Sequence, residues 1–219
     1  MTIGNWREGA SLPNPSEQLS PTQVPRVQIV TGPALEPVTA AELGNLLKLD
    51  AVGDDANTLT ALLTSARVWA ETWTGRAFIN RTAVIYYDQF PQGRIIELPL
   101  SPISAVESVS YFNEADVDTD LAATDYVLDL IGSPARIAFK RTYVYPSPVR
   151  VANALAVALT AGYGATAALV PEGIKTAIRL LAAELYEARG AQREADVFGP
   201  NRVMPADALM LLEPYKIAR

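Results

Sequence analysis

Residues 54–80 (DDANTLTALLTSARVWAETWTGRAFIN) constrain the fold more than any other stretch of the chain. Leu59, Leu62, Leu63, Ala66, Trp69 and Trp73 recur at helical spacing and make one apolar stripe. Asp54 or Asp55 can cap the start, because a carboxylate there accepts from the free N–H groups of the first turn. Gly75 can stop the helix in the left-handed conformation without a Cβ clash. Two tryptophans one turn apart carry much apolar area, so something must cover this face.

The cover lies far along the chain. Pro171 suits a first helical position, and Ile174, Ala177, Ile178, Leu181 and Leu185 form a second stripe that ends before Gly190. Residues 171–189 are therefore the expected partner of the Trp69/Trp73 face. Between the two helices the pattern changes to short β runs over 82–88, 94–98, 106–112, 126–130, 137–140 and 155–160. Pro91-Gln92-Gly93, Gly132-Ser133-Pro134 and Gly162-Tyr163-Gly164 punctuate them. The expected fold class is α+β: a small helical bundle core with an inserted antiparallel β subdomain and extended N- and C-terminal arms. The divisions fall at 1–35 (N-terminal arm), 36–80 (first part of the helical core), 81–165 (β subdomain), 166–190 (second part of the core) and 191–219 (C-terminal segment).

In the N-terminal arm, Pro13, Pro15, Pro21, Pro25 and Pro33 favour extended backbone. Its apolar residues, Val27, Ile29 and Val30 among them, suit an arm laid across its own domain or a neighbouring subunit. Thr39 and Glu42 have capping-box spacing before a short helix, 40–48, buried through Leu43, Leu46 and Leu47. Near the end, 205–213 makes about two helical turns, with Leu209 and Leu212 on one side and Pro214 as a stop. That helix and the residues after it are expected to find little to pack on within the chain.

Composition narrows the chemistry. With no cysteine and no histidine, disulfides, thiolate nucleophiles, Cys/His zinc sites and Ser-His-Asp triads are excluded. The chain has 18 basic and 24 acidic residues, a net charge of −6, which argues against a grip on nucleic-acid phosphates but not against letting nucleic acid pass. No run of about 18 apolar residues is present, so no membrane span is expected. The start of the chain lacks a signal peptide's basic and apolar blocks, and the expected place of synthesis and retention is the cytoplasm.

The candidate sites each meet a plainer reading. Asp116, Asp118 and Asp120 have the spacing of the first three ligands of a calcium loop, but no glycine follows at the turn and no glutamate stands at the twelfth position. They read as a solvated acidic loop. Glu184 and Glu187 could pair as acid and base, yet a charged outer face is the usual meaning. Residues 161–164 (AGYG) lack the spacing and lysine of a phosphate loop. Trp69, Trp73 and Tyr186 could line a pocket, though aromatics at helical spacing more often build a core. Arg67 and Arg76 could meet phosphate, but two arginines make no basic patch. No catalytic residue, cofactor or metal is assigned.

The order of segments resembles the head–tail connector (adaptor) proteins of tailed phages and gene transfer agents. The residues that carry this are Pro37-Val38-Thr39-Ala40-Ala41-Glu42-Leu43, Ala70-Glu71-Thr72-Trp73-Thr74-Gly75-Arg76-Ala77, Phe90-Pro91-Gln92-Gly93, Leu98-Pro99 with Ser101-Pro102, Ile103 to Tyr111, Asp125-Tyr126, Thr160-Ala161-Gly162-Tyr163-Gly164, Val170-Pro171 through Ala188-Arg189, and Leu211-Leu212-Glu213-Pro214-Tyr215-Lys216 with Arg219. Together they span about 36–219, and residues 1–35 fall outside them. The resemblance implies a non-enzymatic part of the virion that forms a ring, typically of twelve subunits, beneath the portal protein. Such a ring bridges the portal to the next neck, stopper or tail component and leaves an axial channel for DNA in transit. The C-terminal segment would engage the portal through Leu212, Pro214, Tyr215, Lys216, Ile217 and Arg219. Two other readings stay open: a stopper or tail-completion protein of the same particle, and a small-ligand or carboxylate-enzyme module in the β subdomain.

Overall fold

In a computed structural model, residues 24–49, 55–188 and 205–217 are described. The helical layer begins with α1 (Ala40–Leu46), whose capping box forms as expected. The Glu42 N–H donates to Thr39 Oγ1 at 3.2 Å and the Thr39 N–H to Glu42 Oε2 at 2.7 Å. α2 (Ala56–Thr74) ends at Gly75, which adopts φ 73° and donates its N–H to the Glu71 carbonyl. Asp55 departs from expectation: it stands at the N-cap but makes no side-chain cap bond. Its carboxylate accepts instead from the Tyr186 hydroxyl at 3.3 Å. Asp54 lies outside the described residues.

α3 (Glu172–Ala188) packs along α2, and α4 (Ala206–Leu212) packs on α3. The seam is narrower than the sequence stripe suggested. Leu59, Leu63, Ala66 and Ala70 of α2 are fully buried against Ile174, Ala177, Ile178 and Leu181, with Val38, Leu43, Ala208 and Leu212 closing the ends. Leu62, Trp69 and Leu185 are only partly buried. Trp73 is 37% exposed and stacks on Trp69, centroids 5.5 Å apart. The cause is side-chain size: alanines at 66 and 70 complete the buried line, and the indoles, too bulky for it, lie along its flank.

The β layers form two antiparallel sheets. The larger has the order β1-β2-β8-β4-β5, with β1 (Arg26–Thr31), β2 (Arg81–Tyr87), β8 (Leu155–Ala161), β4 (Ile103–Phe112) and β5 (Asp118–Asp120). The smaller has the order β3-β7-β6, with β3 (Ile95–Leu98), β7 (Ala135–Phe139) and β6 (Tyr126–Asp129). Ile85, Leu155, Val157 and Leu159 of one sheet share a core with Ile96, Leu98, Ile137 and Phe139 of the other. Each leucine or isoleucine so buried contributes about 1.5–3 kcal/mol. Two strands fall where none was expected. β1 lies in the N-terminal arm, where a β-branched run between Pro25 and Pro33 pairs with β2. β5 lies in the acidic loop, pairing with β4 through Ser110, Tyr111 and Phe112.

The two layers meet where β8 leaves its sheet. Gly162 has φ 146°, and a Cβ there would stand 2.5 Å from the Asn80 nitrogen. The Asn80 N–H donates to the Gly164 carbonyl at 2.9 Å, tying the strand exit to the link between α2 and β2.

Candidate assembly interface

The C-terminal half of α2 is the point where three parts of the chain converge. One side of it carries charge into the interior. Arg67 and Glu71, one turn apart, are 6% and 9% exposed. Arg67 Nε donates to Glu36 Oε2 at 2.7 Å, and its Nη1 to Glu71 Oε2 at 2.8 Å. The second Glu71 oxygen accepts from the Phe78 N–H at 3.0 Å and from Arg81 Nη2. Thr64 Oγ1 donates to Glu36 at 2.9 Å. Two cations and two anions are thereby paired, as buried charges require. Burial opposes the Arg67 cation, but the hydrogen bond and charge of Glu36 and the charge of Glu71 outweigh it and raise its pKa above the ordinary arginine value. This cluster pins the strand-to-helix link at Glu36, helix α2 and the entry to β2 into one body.

The other side of the same helix end receives the chain's last described residues. The expectation that the tail finds little to pack on is corrected here. Leu212 is fully buried in the helical core, and Tyr215 packs partly buried against it. Gly173 on α3 leaves room for this ring: a Cβ there would lie 3.3 Å from the Tyr215 hydroxyl. The Tyr215 carbonyl accepts from Arg76 Nε. The Ile217 N–H donates to the Thr74 carbonyl at 2.9 Å, satisfying one of the free acceptors at the end of α2. Lys216 Nζ sits 4.3 Å over the Trp73 ring. An open groove remains between Thr72, Trp73 and Gly75 on one wall and Glu213, Lys216 and Ile217 on the other.

Of the six residues expected to contact a portal, the fold thus uses Leu212 and Tyr215 as anchors, leaves Pro214 and Lys216 exposed, and holds Ile217 by its backbone. Arg219 lies outside the described residues. Sequence reasoning missed the anchoring role of Arg76 and the closed charge cluster. The i,i+4 pair Arg67–Glu71 was the one local sign of the latter.

The other candidate residues of the sequence fall in separate places. Among the described residues, no three His, Cys, Asp or Glu side chains gather closely enough to hold a metal ion. The Asp116 carboxylate pairs with Arg150 at 3.5 Å, and Asp118 and Asp120 are exposed on β5. Glu187 is exposed and Glu184 partly so, on the outer side of α3. Trp69 and Trp73 stack on each other, and the Tyr186 hydroxyl reaches Asp55. No helix among the described residues is long and apolar enough to cross a membrane.

No protein-family model matches the chain, and no curated protein matches its sequence. Solved structures do match its fold. A chain in the neck of an empty GTA (gene transfer agent) particle, computed with C6 symmetry, is 25% identical with a TM-score of 0.72, over 89% of this chain and 96% of that one. A chain in the virion of a native GTA particle is 23% identical with a TM-score of 0.70, over 88% and 96%. A chain in the neck of a native GTA particle, computed with C12 symmetry, is 24% identical with a TM-score of 0.65, over 89% and 96%. These similarities bear out the resemblance read from the order of segments in the sequence.

Proposed function

We propose that the protein is a structural component of the neck of a phage-like particle, a gene transfer agent or a tailed phage, acting at the head–tail junction. The observation that carries this reading is the likeness in fold to a GTA neck chain over nearly the whole of both chains. That such necks were computed with C6 and C12 symmetry favours an oligomeric ring of copies here as well.

The finer part of the proposal is an adaptor ring directly beneath the portal. The ring bridges the portal to a stopper or tail component and surrounds a channel through which DNA passes. The tail supports it: anchored by Leu212, Tyr215 and the Ile217 N–H, it holds Pro214 and Lys216 outward in a fixed place beside the groove at Trp73. These two are the residues proposed to touch the portal, with Arg219 beyond them. The net charge of −6 suits a conduit that must release DNA.

Electron microscopy of particles carrying a tagged copy of the chain tests the placement. Ring density in contact with the portal is expected. Density one layer further down supports the stopper reading instead, and label on the shell or tail tip overturns both.

A further inference from the structure

The larger sheet is wider than the layer that covers it. Three strands stand against five, and the exposure of every β1 residue marks that edge as the overhang. Val27 and Ile29 stand in register with Ile85 and Ala83, whose side chains are buried, so they point to the covered side of the sheet. They are nevertheless 41% and 44% exposed, and Val30 beside them is 62% exposed. Every residue of β1 is exposed, and its outer edge has no strand partner among the described residues. An apolar strand with a free edge is a surface for pairing with another chain.

The other end of the same sheet carries the complementary chemistry. There β5 exposes Asp118 and Asp120, with Glu114 exposed nearby and Val117 54% exposed beside them. The β1 end carries an exposed cation, Arg26. A ring with rotational symmetry joins two unlike faces of identical subunits. The two ends of one sheet make such a pair: one basic and apolar, the other acidic with a smaller apolar patch.

We infer that in the assembled ring the β1 end of each copy docks against the β5 end of the next, placing Arg26 against Asp118 and Asp120 and covering Val27, Ile29 and Val30 around Val117. The occupant of the overhang is thus a second copy of this chain. The inference rests on the ring reading above and adds the faces that build the ring.

Charge reversal in the full chain tests it, with ring formation followed by sedimentation and mass photometry. Arg26→Glu alone, and Asp118→Lys with Asp120→Lys, should each raise the concentration needed for half-assembly by about tenfold. All three together should restore it. Reversals that leave assembly unchanged overturn the inference while the ring reading stands, and so do impaired variants that the combination fails to rescue. A wild-type chain that forms no ring, alone or with portal, overturns the ring reading and the inference with it. Because the chain has no cysteine, Val27→Cys supplies a sole thiol for an environment-sensitive dye. Dye that becomes shielded only on assembly supports the docking. Dye already shielded in the dilute monomer means that the chain covers β1 itself, and overturns it.

Discussion

Lys216 Nζ stands 4.3 Å above the ring of Trp73, the indole that the helical stripe left outside the core. The next residue donates its N–H to Thr74, one position beyond that tryptophan. The exposed end of α2 is therefore the platform on which the tail is laid. A cation over an exposed indole contributes about 0.5–1 kcal/mol, too little to hold the tail alone. Leu212, fully buried one helical segment earlier, holds it.

This division of labour predicts a split in stability. Leu212→Ala should cost about 2–5 kcal/mol, as truncation of a buried leucine does. Lys216→Ala should cost about 1 kcal/mol or less. Urea denaturation of the full chain measures both. Equal small losses would mean that α4 is not seated in the core and that Leu212 is free for another partner.

The charge cluster predicts a second, larger effect. Glu71→Ala leaves Arg67 and Arg81 facing one another around a vacated site, with the Phe78 N–H unsatisfied. A loss of about 3–5 kcal/mol is expected, because the partly buried Arg81 loses the carboxylate it pairs with and the buried Arg67 loses one of its two. Thr64→Ala removes only one neutral donor to Glu36 and should cost about 1 kcal/mol. The raised Arg67 pKa means that its contribution is present below the unfolded-state value and is lost only as pH rises through a still higher one. No alkaline weakness from Arg67 should therefore be seen across the ordinary working range.

Acid acts through exposed carboxylates. The Thr39 backbone N–H is the largest influence on Glu42; burial opposes it, and with the Thr39 hydroxyl and the charges of Arg179 and Lys175 added, the net effect lowers the Glu42 pKa from its ordinary value. A depressed carboxylate stabilises the fold above its unfolded value, and the contribution is lost as pH falls through the folded one. Hydrogen bonds from Lys175 and Arg179 lower Glu172 in the same way. Stability should thus decline below about pH 4.5, and Glu42→Gln should flatten part of that slope while keeping α1. A slope unchanged in the variant, measured by thermal melts across this window, would assign the acid loss elsewhere.

Periodicity made the helices and most strands legible, because burial of one face imposes a repeat that sequence records directly. Thr39, Gly75 and Pro171 marked ends for the same local reason. What escaped was set by distance. Whether Ala66 and Ala70 or the two tryptophans enter the seam depends on the space α3 leaves, which no local pattern encodes. β1 carried a strand-like run, but its neighbouring prolines favoured an arm, and its partner β2 lies about fifty residues on. The seat of the tail was illegible because Thr74 and Arg76 at the end of α2, and Gly173 on α3, which receive it, lie far from it in the chain.

At the strand exit, Gly162→Ala should be far more costly than a surface glycine replacement. The added Cβ would meet the Asn80 nitrogen at 2.5 Å and its Cα at 2.7 Å, backbone atoms that cannot move without breaking the Asn80–Gly164 hydrogen bond. The positive φ adds strain of its own, on the order of 1–3 kcal/mol. A Cβ added at Gly93 would meet nothing within 4 Å, so Gly93→Ala serves as the control. A Gly162→Ala melting temperature within a degree or so of Gly93→Ala would show that the two layers are not locked at this point.

The tail's role as a portal contact is best tested where structure and binding separate. Removing Tyr215–Arg219 would also remove the Arg76–Tyr215 and Thr74–Ile217 hydrogen bonds, so a loss of binding after that deletion has two explanations. Lys216→Glu avoids this, since Lys216 is exposed and its side chain lies over Trp73 without taking part in either hydrogen bond. The reversed charge loses the attraction to the indole, a cost of about 1 kcal/mol or less in the isolated chain. If Lys216 meets an acidic or carbonyl-rich portal surface, reversal should lower co-assembly by about tenfold or more, and the effect should shrink as salt is raised. Pull-down of the portal at two ionic strengths, alongside a melting curve of the same preparation, reads both quantities. Binding that survives Lys216→Glu at low salt would remove Lys216 from the contact and leave Pro214 and the end of the chain to carry it.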